Sequence, residues 1–219
     1  MRQQLLSLSL ASLAMAAYHP TEPATTTVPT TTTTMPEPEE ETCEWIGGSY
    51  GLEVRCLTGW VAKGICGSTT QAKCRDPNFS TDKYYFMLKC CETKYQTYHQ
   101  TNCQSVGFNA GDQFECKNSQ TNANQAFYGG CGSGWHDDCK ANSSKYANTE
   151  LCCDNKDITV ADDSLCHWQY GSYGDLLECA GDEVAAGHCG SKSSKACETG
   201  DRRSKNWNGL KCCRYSDRS

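Results

Sequence analysis

Apolar and polar positions along this chain form short runs rather than long periodic segments. After an apolar stretch from Leu5 to Ala17, extended-looking runs such as LEVRC, WVAKGIC, YYFMLKCC, DLLEC and GLKCC alternate with glycine-rich turns. No stretch after Ala17 keeps an amphipathic period of 3.6 residues long enough to indicate a helix. Many short strands separated by turn signals predict an all-β fold.

The N-terminal apolar stretch predicts a secretory signal peptide at residues 1–17. It is shorter than the ~20 residues that a membrane-spanning helix needs, and Ala14-Met15-Ala16 supplies the small residues that a signal peptidase reads. No later stretch is apolar enough to cross a membrane. We therefore expect a secreted, extracellular protein without membrane insertion.

Residues 18–42 differ in composition from the rest of the chain. Threonine and proline dominate, and an acidic block ends the segment. Such a sequence cannot bury a core, and Thr/Pro runs are sites of O-glycosylation. The segment is predicted to be a disordered stalk, either mucin-like or an unmodified flexible leader.

Eighteen cysteines follow the stalk in a recurring pattern. The strings GICGSTTQAKC, GGCGSGWHDDC and GHCGSKSSKAC occur once in each of three stretches of similar length, which predicts three repeats at residues 43–91, 103–153 and 166–213. In an oxidising compartment, an even number of cysteines at regular spacing indicates disulfides rather than a metal site. The predicted disulfide cysteines are Cys43, Cys56, Cys66, Cys74, Cys90 and Cys91; Cys103, Cys116, Cys131, Cys139, Cys152 and Cys153; and Cys166, Cys179, Cys189, Cys197, Cys212 and Cys213.

The spacing constrains the disulfide pairing only in part. Seven residues separate the third and fourth cysteines of each repeat, so a direct loop-closing bridge such as Cys66–Cys74 is favoured. Adjacent residues of a strand point to opposite faces, so Cys90 and Cys91 should bond in different directions. Six cysteines allow fifteen connectivities in each repeat, and these stay open.

Cross-links are needed because the chain is poor in aliphatic residues. Leu, Ile, Val and Phe together number 22 of the 202 residues after Ala17, well below the ~20% under which chains rarely fold on burial alone. Each disulfide typically contributes about 2–4 kcal/mol. Disulfides are therefore expected to supply much of the stability.

Two stretches carry a family resemblance. CEWIGGSYGLEVRC and CHWQYGSYGDLLEC share a W-x-x-G-S-Y-G-like opening with a cysteine shortly after it, and the repeats end in FMLKCC and NGLKCC. In outline, the chain from Cys43 to Cys213 resembles the vitelline membrane outer layer protein family. The resemblance implies three sheet repeats closed as a threefold β-prism, and an extracellular, egg-coat or glycan-associated role.

The sequence gives little support for catalysis, a cofactor or a metal. The C-G-S triplet occurs in every repeat, whereas a nucleophile is needed once beside one base. The five histidines form no constellation, and the adjacent acids Asp137-Asp138 and Asp162-Asp163 are too few for a calcium site. The net charge of −6 without a basic stripe argues against nucleic acid. We expect a non-enzymatic protein with no cofactor.

Aromatic residues are the remaining ligand-binding candidates. Trp45 and Trp168 lie two residues after the first cysteine of their repeats, and Tyr50 and Tyr173 form a second matching pair. They could stack on sugar rings, or they could build the small core of each repeat. Asn78 and Asn142 begin N-x-[ST] sequons and are predicted glycosylation sites in exposed loops.

These observations favour multivalent glycan binding at an extracellular surface, because three similar units can combine weak sites. A structural component of extracellular matrix, mucus, egg coat or adhesive is the first alternative, and a defensive protein such as a protease inhibitor or toxin is the second. The oligomeric state is not predicted.

Overall fold

The computed structural model describes residues 41–49, 51–67, 74–75, 77, 83–92, 100–132, 139–141, 143–156, 158–190, 197 and 208–217. These residues form no α-helix, and within them no helix could span a membrane. Apart from one 3-10 turn at Asp163–Leu165, their regular elements are the strands β1 (Cys43–Gly48), β2 (Val54–Arg55), β3 (Trp60–Gly67), β4 (Cys74–Arg75), β5 (Lys83–Tyr84), β6 (Phe86–Glu92), β7 (Gln100–Phe108), β8 (Phe114–Glu115), β9 (Ala126–Gly132), β10 (Cys139–Ala141), β11 (Ser144–Tyr146), β12 (Asn148–Asn155), β13 (Ile158–Val160), β14 (Cys166–Gly171), β15 (Leu177–Glu178), β16 (Glu183–Gly190) and β17 (Asn208–Asp217). The predicted all-β, disulfide-rich fold is confirmed.

Most strands belong to three antiparallel sheets. The first sheet has the order β1-β6-β3-β15, and the second has the order β2-β9-β12-β7. The third sheet has the order β13-β17-β16-β8, with β14 also paired to β17. Two hairpin-like pairs, β4-β5 and β10-β11, lie outside these sheets.

Each of the three sheets receives one two-residue strand from another part of the chain. Strand β2 leaves the first predicted repeat and pairs with β9 of the second sheet. Strand β8 leaves the second predicted repeat and pairs with β16 of the third sheet. Strand β15 leaves the third predicted repeat and pairs with β3 of the first sheet. The exchange of strands therefore runs in a cycle.

The same backbone device receives each exchanged strand. Strands β3, β9 and β16 each contain one residue where the pairing register shifts, namely Lys63, Tyr128 and Ala186. The backbone carbonyl of that residue accepts a hydrogen bond from the N–H of the cysteine that follows the exchanged strand. The bonds are Lys63 O from Cys179 at 2.7 Å, Tyr128 O from Cys56 at 2.9 Å and Ala186 O from Cys116 at 2.9 Å. A glycine comes next in each case. At Gly187, a Cβ atom would lie 2.5 Å from the backbone oxygen of Phe114, so only glycine lets β8 approach. A bulge and a glycine together make room for the incoming strand.

Disulfide bonds connect the described cysteines in one scheme that occurs three times. The bridge between the third and fourth cysteines, favoured from spacing, forms as Cys66–Cys74. The adjacent cysteines bond in different directions, because Cys91 joins Cys43 while Cys90 joins Cys56. The other six bridges follow the same order: Cys103–Cys153, Cys116–Cys152, Cys131–Cys139, Cys166–Cys213, Cys179–Cys212 and Cys189–Cys197.

One bridge of each set links two sheets. Cys56 directly follows the exchanged strand β2 of the second sheet, yet it bonds to Cys90 on β6 of the first sheet. The corresponding bridges connect the second sheet to the third and the third sheet to the first. The sulfur atoms of these bridges lie in the central core. They supply cross-links where a protein of richer composition would use aliphatic side chains.

The central core draws on all three sheets. Its apolar members include Ile65 and Leu88 from the first sheet, Phe127 from the second and Leu210 from the third. Tight turns lead towards the exchanged strands, and Gly51, Gly111 and Gly174 adopt positive φ angles of 68°, 81° and 83° there, a conformation that glycine adopts without strain.

Two polar side chains interrupt this core. Glu150 on β12 and His188 on β16 are completely buried, and His188 Nδ1 lies 3.5 Å from Glu150 Oε1. The rings of Phe86, Phe108 and Phe127 surround the imidazole at centroid distances of 5.5, 5.7 and 6.4 Å. Because burial disfavours charge, it raises the pKa of Glu150 well above its ordinary value and lowers the pKa of His188 to about 3. Both groups are therefore held towards their neutral forms.

The last residues of the predicted stalk contact the sheets. Glu41 Oε1 lies 2.6 Å from the ammonium group of Lys63, which is buried and also donates to Gly181 O at 2.6 Å. Thr42 O accepts a hydrogen bond from the backbone N–H of Glu92 at 2.8 Å. The rest of the stalk, the predicted signal peptide and the sequon residues Asn78 and Asn142 lie outside the described residues.

Candidate functional site

Strand β14 places two aromatic rings on the outer face of the third sheet. The core-facing residues of the neighbouring strand β17 are Leu210 and Cys212, so the intervening Gly209 and Lys211 belong to the opposite face. Trp168 lies directly opposite Lys211, and Tyr170 lies opposite Gly209. Directly opposite residues of antiparallel strands share a face. Both aromatic side chains are therefore on the outer face, where they are half-buried.

The two rings stack on one another. Their centroids are 6.0 Å apart and their planes differ by 14°. Gly209 gives space for this arrangement, because a Cβ atom there would lie 3.0 Å from Tyr170 Cε1. The pair forms an aromatic stack that is partly open to solvent.

A hydrogen bond fixes the outer end of Tyr170. Its hydroxyl oxygen accepts from Gln113 Nε2 at 2.6 Å, and Gln113 immediately precedes the exchanged strand β8. Burial raises the pKa of Tyr170, and the Gln113 hydrogen bond opposes part of that rise. Tyr170 is therefore a neutral phenol at physiological pH, held between β14 and the start of β8.

Four charged side chains form a closed cycle of ion pairs on the same face. Lys211 Nζ lies 2.9 Å from Glu115 Oε2 and 2.6 Å from Asp163 Oδ1. Lys117 Nζ lies 2.8 Å from Asp163 Oδ2 and 3.2 Å from Glu115 Oε2. Each cation contacts both carboxylates, and each carboxylate contacts both cations. Charge-assisted contacts of this kind hold side-chain geometry more firmly than single neutral hydrogen bonds.

The cycle keeps both acids ionised. Hydrogen bonds from Lys117 and Lys211 hold the pKa of Asp163 below its usual range. Burial raises the pKa of Glu115, but hydrogen bonds from Lys211 and Lys117 outweigh it and leave a net lowering. The hydrogen bonds to Asp163 and Glu115 raise the pKa of Lys117. All three groups are consequently charged near neutral pH, and the two carboxylates balance the two ammonium groups.

We call this set the outer-face site: Gln113, Glu115, Lys117, Asp163, Trp168, Tyr170 and Lys211. Part of the site comes from β14, from β17 and from the turn before β14. The other part comes from the exchanged strand β8 and the residues beside it, which belong to an earlier part of the chain. Gly187 on β16 lies between Lys211 and Glu115, and its missing side chain lets their charged groups meet above it. The site therefore depends on the exchange of β8.

The first sheet carries a related arrangement around Trp45. Trp45 lies opposite Lys89, whose ammonium group is 2.5 Å from Glu178 on the exchanged strand β15. The Trp45 ring, however, packs against a buried cluster that contains Met87. It also approaches within 3.3 Å of the position that a Cβ atom on Gly64 would occupy. Trp45 therefore contributes more to packing than Trp168 does.

The second sheet lacks this arrangement. Ser105 occupies the place of the two tryptophans, and Leu151 occupies the place of Lys89 and Lys211. Arg55 stands where the acids stand on the other exchanged strands, and it pairs with Glu53 at 2.9 Å. The outer faces of the three sheets therefore differ in chemistry although their backbones follow one plan.

The other aromatic candidates are placed differently. Tyr173 lies between β14 and β15 and is half-buried, whereas Tyr50 is outside the described residues. The sequence did not single out Tyr170, although the pattern W-x-Y on a strand puts both rings on one face. Glu115 and Lys117 lie more than forty residues before Asp163 in sequence. Their contact with Asp163 depends on the exchange of β8, which the sequence did not predict.

Three clusters among the described residues contain potential metal ligands. Each includes a cysteine: Glu41, Cys43 and Cys91; Cys116, Glu150 and Cys152; and His167, Glu183 and Cys212. All these cysteines are in disulfides and offer no thiolate. Without them, each cluster keeps at most two ligands, fewer than a structural zinc site uses.

No family model matches this chain, and no curated protein or solved structure matches it either.

Proposed function

We propose that this protein is a secreted, non-enzymatic glycan-binding protein that uses the outer-face site. One observation carries the proposal. Trp168 and Tyr170 form a partly exposed aromatic stack next to a fixed set of hydrogen-bonding groups. Small-ligand sites combine apolar surface with a few well-placed polar groups.

The chemistry of the site matches that of a sugar ring. A pyranose presents a C–H face that packs on an aromatic plane, while its hydroxyl groups both donate and accept hydrogen bonds at the edge. The exposed ring surface of the Trp168–Tyr170 stack supplies the apolar contact, and the carboxylates of Glu115 and Asp163 supply acceptors. Tyrosine and tryptophan combine an apolar surface with a polar tip in this way.

The ionisation state of the site argues against acid–base catalysis. The pKa of Asp163 lies below its usual range because two lysines donate to it. A general acid needs a pKa close to the operating pH. Asp163 is better suited to accept hydrogen bonds from a ligand than to transfer a proton.

The proposal extends to the architecture. We propose three repeats that close as a threefold β-prism-like assembly, as the resemblance to the vitelline membrane outer layer family implies. The threefold recurrence of one disulfide scheme and the cyclic exchange of β2, β8 and β15 support it. In this arrangement the three outer faces point in three directions. Multivalent binding would use the Trp45 face of the first sheet together with the Trp168 face of the third.

The disulfides support secretion. All the described cysteines are paired, in nine bridges, which is typical of proteins that fold outside the reducing cytosol. This fits the predicted signal peptide and the predicted glycosylation at Asn78 and Asn142.

A glycan array with purified full-length mature protein tests the function. We expect binding to a defined group of glycans and at least a tenfold loss in the Trp168→Ala variant. Ser105→Ala, which changes the corresponding position of the second sheet, is the matched control and should bind as well as the parent protein. An array without any specific binding would refute the proposal.

A second candidate function is a durable structural component of an extracellular matrix or mucus. Covalent cross-linking favours this function, because each pair of neighbouring sheets is joined by a disulfide as well as by an exchanged strand. A negative glycan array together with concentration-dependent self-association would favour this function over glycan binding.

A further inference from the structure

We infer that the outer-face site selects uncharged glycans, such as neutral hexoses and N-acetylated amino sugars, and rejects sulfated or carboxylated ones. This inference rests on the proposed function and names its ligand class. It follows from which atoms of the four-charge cycle are engaged and which face the solvent.

Both cations of the cycle are already paired with carboxylates. The side chain of Lys211 is only 4% exposed, and its ammonium group contacts both Glu115 and Asp163. Lys117 contacts the same two carboxylates and is 27% exposed. Each ammonium group uses two of its three N–H donors on these carboxylates, so a sulfate that approached either lysine would also meet both negative groups. The site therefore offers no unpaired ammonium group.

The carboxylates are the more exposed half of the cycle. The side chain of Asp163 is 58% exposed and that of Glu115 is 35% exposed. An approaching ligand consequently meets oxygen atoms that carry negative charge. Hydroxyl groups can donate hydrogen bonds to these oxygens, whereas sulfate and carboxylate groups, which only accept, are repelled.

The charge of the whole chain acts in the same direction. The net charge is −6 at neutral pH, so an anionic polysaccharide is also repelled at longer range. Salt screens this longer-range part over a Debye length of about 8 Å at physiological ionic strength. Repulsion by Asp163 at contact distance is screened less. The selectivity should therefore persist at moderate salt.

Binding of matched glycan pairs to the full-length mature protein tests this inference. The probes are N-acetyllactosamine with its 6-sulfated form, and lactose with its sialylated form. The members of each pair differ by one negative charge, carried by a sulfate ester in the first pair and by an added sialic acid residue in the second. We expect the neutral member to bind at least tenfold more tightly. Equal or tighter binding of the charged member would overturn the inference, even if Trp168→Ala abolished both and so upheld the proposed function.

Asp163→Asn tests which group rejects the anion. This variant removes the exposed negative charge and releases both lysines from one partner, so it should bind the sulfated probe more tightly and narrow the difference to less than threefold. Glu53→Gln removes one carboxylate from the Arg55 ion pair beside the second sheet, which has no part in the proposed binding, and is the matched control, which should keep the parent selectivity. If neither variant alters the ratio, the cycle does not set selectivity and the inference fails. If the parent binds no member of either pair, the proposed function and the inference both fail.

Discussion

His188 and Glu150 make the stability of this protein depend on pH in a way that can be separated residue by residue. The folded pKa of His188 is about 3 because of burial, while the unfolded value is ~6.5. The unfolded chain therefore binds a proton that the folded chain refuses. Stability is lost as the pH falls from ~6.5 towards 3, at about 1.4 kcal/mol per pH unit.

Glu150 acts with the opposite sign. Burial raises its folded pKa well above 4.5, so its contribution is present at low pH and is lost as the pH rises above 4.5. In the parent protein the two effects oppose each other where these ranges overlap, above pH 4.5 and below about pH 6.5. Glu150→Gln replaces the carboxyl group by an amide of similar shape that does not titrate. Of the two opposing effects, only the titration of His188 then remains.

We therefore compare how the free energy of unfolding depends on pH in two variants, Glu150→Gln and Glu150→Gln/His188→Ile. Isoleucine is the residue of the first sheet at the corresponding position, Ile65, which is fully buried. Between pH 6.5 and pH 4.0, the single variant should lose about 3 kcal/mol more free energy of unfolding than the double variant, because 2.5 pH units act on one histidine. All other titrating groups are common to both variants and cancel.

The assay is guanidinium chloride unfolding at each pH with the disulfides intact, followed by tryptophan fluorescence. NMR titration of the His188 ring in the Glu150→Gln variant gives the pKa directly. If the two variants lost the same free energy within about 1 kcal/mol, or if the ring titrated near 6.5, the imidazole would not be held neutral by burial and the reasoning would be wrong.

Three further predictions concern the exchange of strands and the bridges. Gly187→Ala should lower the free energy of unfolding by about 2 kcal/mol or more, because the new Cβ atom would lie 2.5 Å from a backbone oxygen of β8. Gly181→Ala is the control. Its Cβ atom would have no neighbour within 4 Å, so the thermal midpoint should change very little. Asn208→Ala should cost about 1–3 kcal/mol in chemical unfolding, because the buried amide donates to Gly67 O at 2.8 Å and Ser172 O at 3.1 Å, and an unchanged midpoint would contradict this. Replacing both cysteines of Cys43–Cys91 by alanine should lower the free energy of unfolding by about 1.5 kcal/mol more than replacing those of Cys66–Cys74. The reason is that the first bridge spans 48 residues and the second spans 8, and a longer loop restricts the unfolded chain more. Equal losses in the two double variants would contradict this argument.

The fold class and part of the disulfide scheme follow from short-range rules. Alternation along a strand requires Cys90 and Cys91 to point to opposite faces, and the two cysteines do bond to different partners. The short step from Cys66 to Cys74 favours a direct bridge, and this bridge forms. Where a constraint acts within about ten residues, the sequence predicts it.

Long-range relations could not be read in the same way. The two-residue strands β2, β8 and β15 are too short to show a period, and nothing local indicates that they pair outside their own repeat. The ion-pair cycle depends on that exchange. It brings Glu115 and Lys117 to Asp163, and no motif links these residues in sequence.

Trp45 and Trp168 show why equal sequence positions need not have equal roles. Both lie on edge strands opposite a lysine. Trp45 has Gly47 two residues later and packs towards Met87, whereas Trp168 has Tyr170 two residues later and stacks on it. The neighbour on the same face therefore differs, and one ring packs into a buried cluster while the other stacks on a partly exposed tyrosine.

The positions that vary between the three sheets and those that do not obey different physical constraints. Glycine beside the exchanged strand and cysteine at the bridges recur because a Cβ atom or an unpaired thiol there would break a contact between sheets. On the outer faces, Ser105, Leu151 and Arg55 replace groups that form the site on the third sheet without disturbing any such contact. A binding site could therefore be specialised on one sheet while the common backbone stayed fixed. Exchange of β8 makes that specialisation possible, since it brings Glu115 and Lys117 to a face built by β14 and β17.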